Sequence, residues 1–581
     1  MSIALQRYLS EFGDSILNAF DLTAWSRCTT LGRVFLSLKV HSGAVGIRVC
    51  EVTRRGEREL QVLSSETPRV AERSVEIRVQ GNTGLLMPRV MSLSSAASFS
   101  LEFRTNDTPH RRDAHVAFAT VISGQRQHIA GNVPVFRRFL ASLNPAAKAR
   151  ATLVVVDNES ANRVEEAPGV VVLRNPNLGC SGGFSRALYE LCNGELEGIG
   201  ASHVCLMDDD IYLHPEMPGR TLAFAQFLKP GFHLGAPMYP ARGRSSVPKQ
   251  AACVGHLYRG GMNPNDEAIG AGLEVGNADR AVRLNRRPDT SGWWWNCIAL
   301  EDVRKVGLPY PFFIKMDDVE YSLRLRDRGV ELVTPLSWWT LHDDFEDKYT
   351  AGSQYFRHRN RWILLAQRNQ LPTRRHFALQ VSEQVLRCVA MRQYECAELV
   401  CRAIGDFLKG PEVIASQGKR TLAAVSAVNQ VERSRPLSLA EVHRVDLSDE
   451  VRPVRSEWMR RLTLGTLNWH GSPFGRHLLL NRAAADSCAS RSGRRITFWN
   501  PETRTGFTVE RSCRRALRVV GLLLAQLMST WKYPRIGRAY SETRDVYTSS
   551  DFWRGRFASH RETSPGMKIS RQAGPEKGTR G

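Results

Sequence analysis

His203-Val204-Cys205-Leu206-Met207-Asp208-Asp209-Asp210 is a strand-like run that ends on three adjacent carboxylates, and its reading decides the fold. It is the fourth run of its kind. His115–Ile122, Thr152–Val156 and Val170–Leu173 precede it, and Val133–Leu143 and Phe184–Cys192 carry apolar residues at helical intervals between them. Strands that alternate with helices imply a parallel, doubly wound α/β sheet. In such a sheet the ligand sits beyond the C-terminal ends of the strands. Asp157, which follows Thr152–Val156, and the cluster Asp208–Asp210 both hold that position.

Three neighbouring carboxylates repel one another unless a cation or a basic group offsets them. Side chains alternate on an extended chain, so Asp208 and Asp210 point the same way. Those two could share one Mn²⁺ or Mg²⁺ that also grips a diphosphate; a solvated turn before Pro215 is the plainer reading. Asn175-Pro176-Asn177-Leu178-Gly179-Cys180-Ser181-Gly182-Gly183 reads as a glycine-rich turn between a strand and a helix. Glycine lets backbone approach a ligand closely, and a helix N-terminus attracts phosphate. Asp317-Asp318 follows the aromatic and apolar approach Pro311–Met316, which suits a general base whose surroundings raise its pKa. The same pair suits the start of a helix over Val319–Arg328. Trp293-Trp294-Trp295 puts three indoles in a row, an expected platform for the apolar face of a sugar. His342 alone is ordinarily structural, but a neutral imidazole completes many carboxylate metal sites.

The remaining chain sets the frame. At 581 residues it is too long for one core, and 42% apolar with 24% charged residues is globular composition. Lys and Arg number 80 against 58 Asp and Glu, a net charge of +22, which favours anionic partners. Twelve cysteines include no CxxC pair, so no zinc or disulfide framework is expected. Met1–Phe20 lacks the pattern of a signal peptide, and no apolar run is long enough for a membrane span. Val519–Met528, flanked by Arg514, Arg515 and Arg518, suits a packed helix or a membrane-surface helix. Short strands are expected from about Arg33 to Phe103, and helices at His376–Leu408 and Ser512–Trp531. The expected division is 1–110 β-rich, 111–365 α/β, 366–560 mainly helical and 561–581 a basic, disordered tail.

Taken together, the order glycine-rich turn, triple Asp, Trp cluster, Asp pair, His resembles the GT-A glycosyltransferases of family 2. It is most similar to the bacterial galactofuranosyltransferases that build cell-wall galactan. The stretches that carry the likeness are Asn175–Tyr189, Leu206–Ile211, Gly292–Cys297, Pro311–Leu325, His342 to Lys348 and Tyr355–Arg361. The resemblance implies a GT-A nucleotide-sugar domain between a β-sandwich-like N-terminal domain and a mainly helical C-terminal domain. It implies Asp208, Asp210 and His342 as metal ligands, Asp318 as catalytic base and Asp317 as the sugar-contacting acid beside it. Asp157, Asn177, Gly179, Gly182 and Asp209 would hold the donor, and Trp294 and Trp295 the acceptor. His256, where the family has an acid, and Arg357, where it has a His, fall on the same acceptor side; Phe345 stands where the family has Trp.

The implied reaction is inverting transfer of galactofuranose from UDP-galactofuranose to a lipid-linked glycan, at the cytoplasmic face of an anionic membrane, by a chain able to form a homo-oligomer. Rhamnosyl or other family 2 transfer is the alternative. Nucleic-acid binding is the rival class that the charge suggests, but no basic recognition helix or aromatic RNA-binding signature supports it, and nucleic acid is not an expected partner.

Overall fold

The structure, a computed structural model, describes residues 2–65, 72–94, 97–124, 128–143, 150–159, 164–241, 278, 282–283, 288–343, 350–415, 419–438, 477–481, 494–500 and 503–558. Alternation at period two builds the first part. Eight strands, β1 (Ile3–Arg7), β2 (Phe20–Asp21), β3 (Arg33–Ser42), β4 (Val45–Thr53), β5 (Gly56–Ser65), β6 (Glu72–Arg78), β7 (Leu85–Leu93) and β8 (Ser98–Thr105), form two four-stranded antiparallel sheets. Their orders are β1-β8-β3-β6 and β2-β7-β4-β5. In β3, Val34, Leu36, Leu38 and Val40 are buried, and residues between them are not. The result is the expected sandwich. Helix α1 (Leu22–Cys28) starts at Asp21, whose carboxylate accepts from the Ala24 N–H.

The α/β part runs β9 (His115–Ile122), α2 (His128–Ser142), β10 (Arg150–Asn158), β11 (Val170–Asn175), α3 (Gly179–Asn193), β12 (His203–Met207), β13 (Ile211–Tyr212), α4 (Glu216–Phe227), β14 (Phe232–Gly235), β15 (Met238–Pro240), β16 (Asn296–Ala299), α5 (Leu300–Val306), α6 (Asp317–Asp327), β17 (Glu331–Val333) and β18 (Thr340–His342). Seven of these strands form one sheet in the order β11-β10-β9-β12-β16-β14-β17. Only β16 runs antiparallel within it. The chain moves outward from β9 to β11 and then returns to β12 on the other side of β9, so the topological switch lies between β9 and β12. That is where a doubly wound sheet opens its ligand crevice, and Asp208 follows β12 directly. The architecture is the doubly wound α/β sheet expected from the sequence.

The C-terminal part is helical where the sequence reads so and departs from that reading in one place, a small sheet. His376–Leu408 is two helices, α8 (Arg374–Ala390) and α9 (Tyr394–Lys409), after α7 (Ala351–Gln367). The break falls at Met391–Gln393, where Arg392 has φ +61°. Short helices α10 (Glu412–Ala415) and α11 (Lys419–Val428) follow. Then, instead of further helix, β19 (Arg435–Pro436), β20 (His477–Asn481), β21 (Arg495–Asn500) and β22 (Thr505–Glu510) form a sheet of order β19-β22-β21-β20. Arg495–Asn500 alternates too weakly with charge to announce itself as a strand by pattern. Helices α12 (Cys513–Met528), α13 (Tyr533–Tyr547) and α14 (Ser550–Ala558) close the described chain. Helix α14 returns to the α/β part: Phe557 meets Tyr189 of α3 edge-on, and the Trp553 indole donates to the Pro309 carbonyl.

One apolar core joins the sandwich to one face of the central sheet. Trp25 of α1 packs on Phe224 of α4, ring centroids 4.2 Å apart. Arg220 of α4 is 1% exposed and donates to the carbonyls of Leu17, Ser337 and Arg7. A buried guanidinium needs such partners, and here they come from three separate segments.

Candidate active site

The site grows from the end of β12. Asp208 is the first residue past the strand, and β13 begins just after Asp210. β13 is held in place by Asn132 of α2, whose amide donates to the Ile211 carbonyl and accepts from the Leu213 N–H. β13 also pairs antiparallel with β18, with Ile211 opposite His342. That pairing delivers the imidazole to the carboxylates. His342 Nε2 lies 2.8 Å from Asp210 Oδ1 and 3.8 Å from Asp208 Oδ2. The ligand atoms of Asp208, Asp210 and His342 all lie within 4.8 Å of one another.

Such a set of two carboxylates and one imidazole fits Mn²⁺ or Mg²⁺ in donor type. The other ring nitrogen of His342, Nδ1, contacts the Asp343 carbonyl, which fixes the ring and leaves Nε2 for the cation. Burial works against charging His342, but hydrogen bonds to Asp208 and Asp210 outweigh it and raise its pKa to about 9. The pair of acids thus holds a positive charge in the position a metal would take. Asp343 is anchored in turn by the Tyr212 hydroxyl, at 3.0 Å.

The second half of the site is the segment Pro311–Met316. Phe313, Lys315 and Met316 have φ of +78°, +67° and +69°. Non-glycine residues adopt that region only where their surroundings enforce it. The enforcement is visible. Asn360 of α7 donates its side-chain amide to the Ile314 and Lys315 carbonyls at 2.9 and 2.8 Å. Arg359 donates to the Phe312 carbonyl and to Asn360 Oδ1, and Tyr355 OH donates to Asp406 behind it. The segment ends in the first turn of α6, where Asp317 is buried and Asp318 is partly exposed. Asp318 accepts from the Val319 N–H at 2.8 Å, so the pair does begin a helix as well. Burial pushes both carboxyls up, Asp318 to about 6, and the charge of Asp208 adds to the rise. One oxygen of Asp317 is buried with no hydrogen-bond partner.

The glycine-rich stretch meets this segment. Helix α3 already starts at Gly179, so Cys180–Gly183 form its first turn instead of a loop. Gly179 has φ +74°, and a Cβ there would lie 2.2 Å from the Phe313 carbonyl oxygen. Ser181 donates its N–H to that oxygen, and its hydroxyl accepts from the Phe313 N–H at 2.8 Å. Asn177 Oδ1 accepts from the Gly179 N–H. Gly182 is packed against Leu178, whose Cβ would sit 2.2 Å from an added Cβ. Asp157, next to last in β10, is buried and pairs with Arg174 of β11. Asp209, between Asp208 and Asp210, is 7% exposed.

The acceptor side is where the reading from sequence fails in part. Trp293, Trp294 and Trp295 do not form an open platform: they are 4%, 6% and 1% exposed. Trp294 donates to the Ala236 carbonyl, and Trp295 donates to Thr221 and packs near Phe118. Their run lies in the turn before β16, where Trp293 joins the core on one face of the sheet and Trp294 and Trp295 join the core on the other. Arg357 lies half-buried on α7. His256 and Phe345 lie outside the described residues. Asn360, Arg359, Asn132 and Arg174 went unassigned in the sequence; only the Tyr-Phe-x-x-Arg-Asn-Arg stretch around Asn360 signalled any of them.

No protein-family model matches the chain. It is similar to the galactofuranosyltransferase GlfT2 of Mycolicibacterium smegmatis, 26% identical over 427 residues, and of Mycobacterium tuberculosis, 27% identical over 453 residues. These alignments cover 69% and 72% of this chain but 64% and 68% of the relatives' own length. Among solved structures, GalNAc-T7 with UDP, GalNAc and Mn²⁺ aligns over 45% of this chain and 52% of its own, at 12% identity and a TM-score of 0.29, which is too low to bear on fold or function.

Proposed function

We propose that this chain is an inverting, metal-dependent glycosyltransferase that moves galactofuranose from UDP-galactofuranose to a lipid-linked glycan. The observation that carries this reading is the meeting of Asp208, Asp210 and His342 beside the Asp317-Asp318 pair, at the switch point of the sheet. The similarity to two galactofuranosyltransferases supports the choice of sugar.

In this reading Asp208, Asp210 and His342 hold the cation, which when bound offsets the charge of the departing diphosphate. Asn177 and Asp209 lie around the donor diphosphate and Asp157 at the nucleoside, while Gly179 and Gly182 let the start of α3 pack on Phe313 and Leu178 behind it. Asp318 takes the proton from the acceptor hydroxyl. The freed oxygen bonds to the anomeric carbon as the bond from that carbon to the UDP oxygen breaks, and UDP leaves with the electron pair. One displacement with one base inverts the anomeric centre, as in inverting glycosidases. Asp317, held beside Asp318, orients the sugar. Of the acceptor residues, Arg357 keeps its role; Trp294 and Trp295 act by shaping the wall from within.

An anionic membrane face suits the acceptor's lipid. No helix among the described residues is long and apolar enough to cross a membrane. Helix α12 and the turn after it expose Leu517, Leu524, Met528 and Trp531 on one side, beside Arg514, Arg515 and Arg518. This is the make-up of a helix that lies in the lipid interface. The direct test is a panel of UDP-sugars with Mn²⁺, with UDP release and glycan elongation both followed. UDP-galactofuranose should be the donor consumed. Turnover of another UDP-sugar in its place would replace the proposed substrate, and no turnover of any would sink the reading.

A further inference from the structure

Away from those carboxylates, a cleft of about 580 Å³ opens where the break between α8 and α9 meets the small sheet β19–β22 and the start of α12. Arg392, Arg435, Arg495, Arg511 and Arg515 all line it. Among the described residues the one carboxylate in the lining, Glu510, faces Arg495 across the β21–β22 ladder and is paired with it. Nearby acids are committed elsewhere. Glu432 accepts from the Glu395 and Cys396 N–H groups, and Glu395 from those of Gln430, Val431 and Glu432.

Arg392 is the telling residue. It is 2% exposed, sits at φ +61°, and gives one N–H to the Ala390 carbonyl at 2.6 Å. Its Nε and Nη2 are buried with no hydrogen-bond partner. Burial and the neighbouring Arg511 lower its pKa to about 10, so it still carries its charge at neutral pH. A buried guanidinium with two idle donors and no carboxylate is strongly unfavourable unless an anion completes it. The backbone adds to the same field. Ser512 caps α12, and the N-terminal end of that 16-residue helix opens on the cleft.

We propose that this cleft is an anion site for a phosphoryl group, as a phosphate monoester or a diphosphate, with Arg392 at its floor and Arg435, Arg511 and Arg515 at its rim. A phosphoryl group matches forked guanidinia and a helix N-terminus in geometry, and its charge of about −2 answers several of them at once. The site shares no residue with the carboxylate cluster, so it stands or falls apart from the transferase reading.

The test uses the full chain and inorganic pyrophosphate, at fixed ionic strength and in EDTA, so that no cation bridges pyrophosphate to Asp208 and Asp210. Calorimetry and thermal melting are run on wild type, Arg392→Met and Arg435→Gln. Wild type should bind saturably and melt higher with pyrophosphate than with matched chloride. Arg392→Met should lose that shift, while its ligand-free melting temperature holds or rises, because an uncompensated buried cation is gone. Arg435→Gln should weaken binding by about tenfold. Vesicles with and without phosphatidylglycerol separate the sources: if Arg392→Met sediments with anionic vesicles as wild type does, the phosphoryl group belongs to a soluble ligand; if it stays in solution, the group is a lipid headgroup. No saturable shift in wild type overturns the site, as does wild-type affinity in Arg435→Gln, which also decides the matter if Arg392→Met does not fold.

Discussion

Asp208→Ala and Asp210→Ala each remove one of three ligand atoms and leave His342 with half its anionic partners. Transfer should fall to background in both, and EDTA should do the same to wild type; full turnover in excess EDTA would discard the metal assignment. Asp318→Asn keeps the shape of the base and removes its basicity, so single-turnover transfer should drop by about 10²–10⁴-fold while UDP still binds. The pH profile adds a check. Burial and Asp208 raise the Asp318 carboxyl to about 6, and only the ionised form accepts a proton. Activity should therefore fall as pH drops through about 6, and the acidic limb should move lower once a cation neutralises Asp208. A flat profile down to pH 4 would argue that Asp318 is a helix-start residue alone.

At the scale of elements, the strained Pro311–Met316 segment is a device for aiming Asp317 and Asp318. Asn360→Ala withdraws the two hydrogen bonds to Ile314 and Lys315. It should lower kcat by roughly tenfold or more with little change in UDP affinity, since the base shifts while the cation ligands stay put. Equal loss in UDP binding would point to general disorder of the site instead. This element also shows what could be read in advance. The apolar strands β9 to β12 and the acids at their ends were legible because a buried parallel strand is a continuous apolar run. The joining of His342 to Asp210 came only from the family resemblance and not from pattern, since it depends on the two-residue strand β13 pairing with β18, and two residues have no period. The tryptophan run misled because a turn enclosed between two cores buries its neighbours alike, which composition cannot tell from a surface patch. The sheet β19–β22 was missed because its strands are two to six residues long and scattered along the chain.

Across the whole molecule, Arg220 ties the sandwich to the α/β sheet through three carbonyls. Arg220→Ala should cost roughly 2–4 kcal/mol, from buried carbonyls left without donors, and should lower the cooperative melting transition as one step. Two separated transitions would mean that the halves melt independently. On the outside, the chain should sediment with anionic vesicles and be released as salt rises; binding unchanged at high salt would mean that Leu517, Leu524, Met528 and Trp531 alone do the anchoring. The shared core has a bearing on descent as well. A crossover between relatives that exchanged only the first 110 residues would set an inherited Trp25 against a foreign Phe224 and strand Arg220 among unfamiliar carbonyls. Viable recombinants should therefore carry the sandwich and the α/β part as one block.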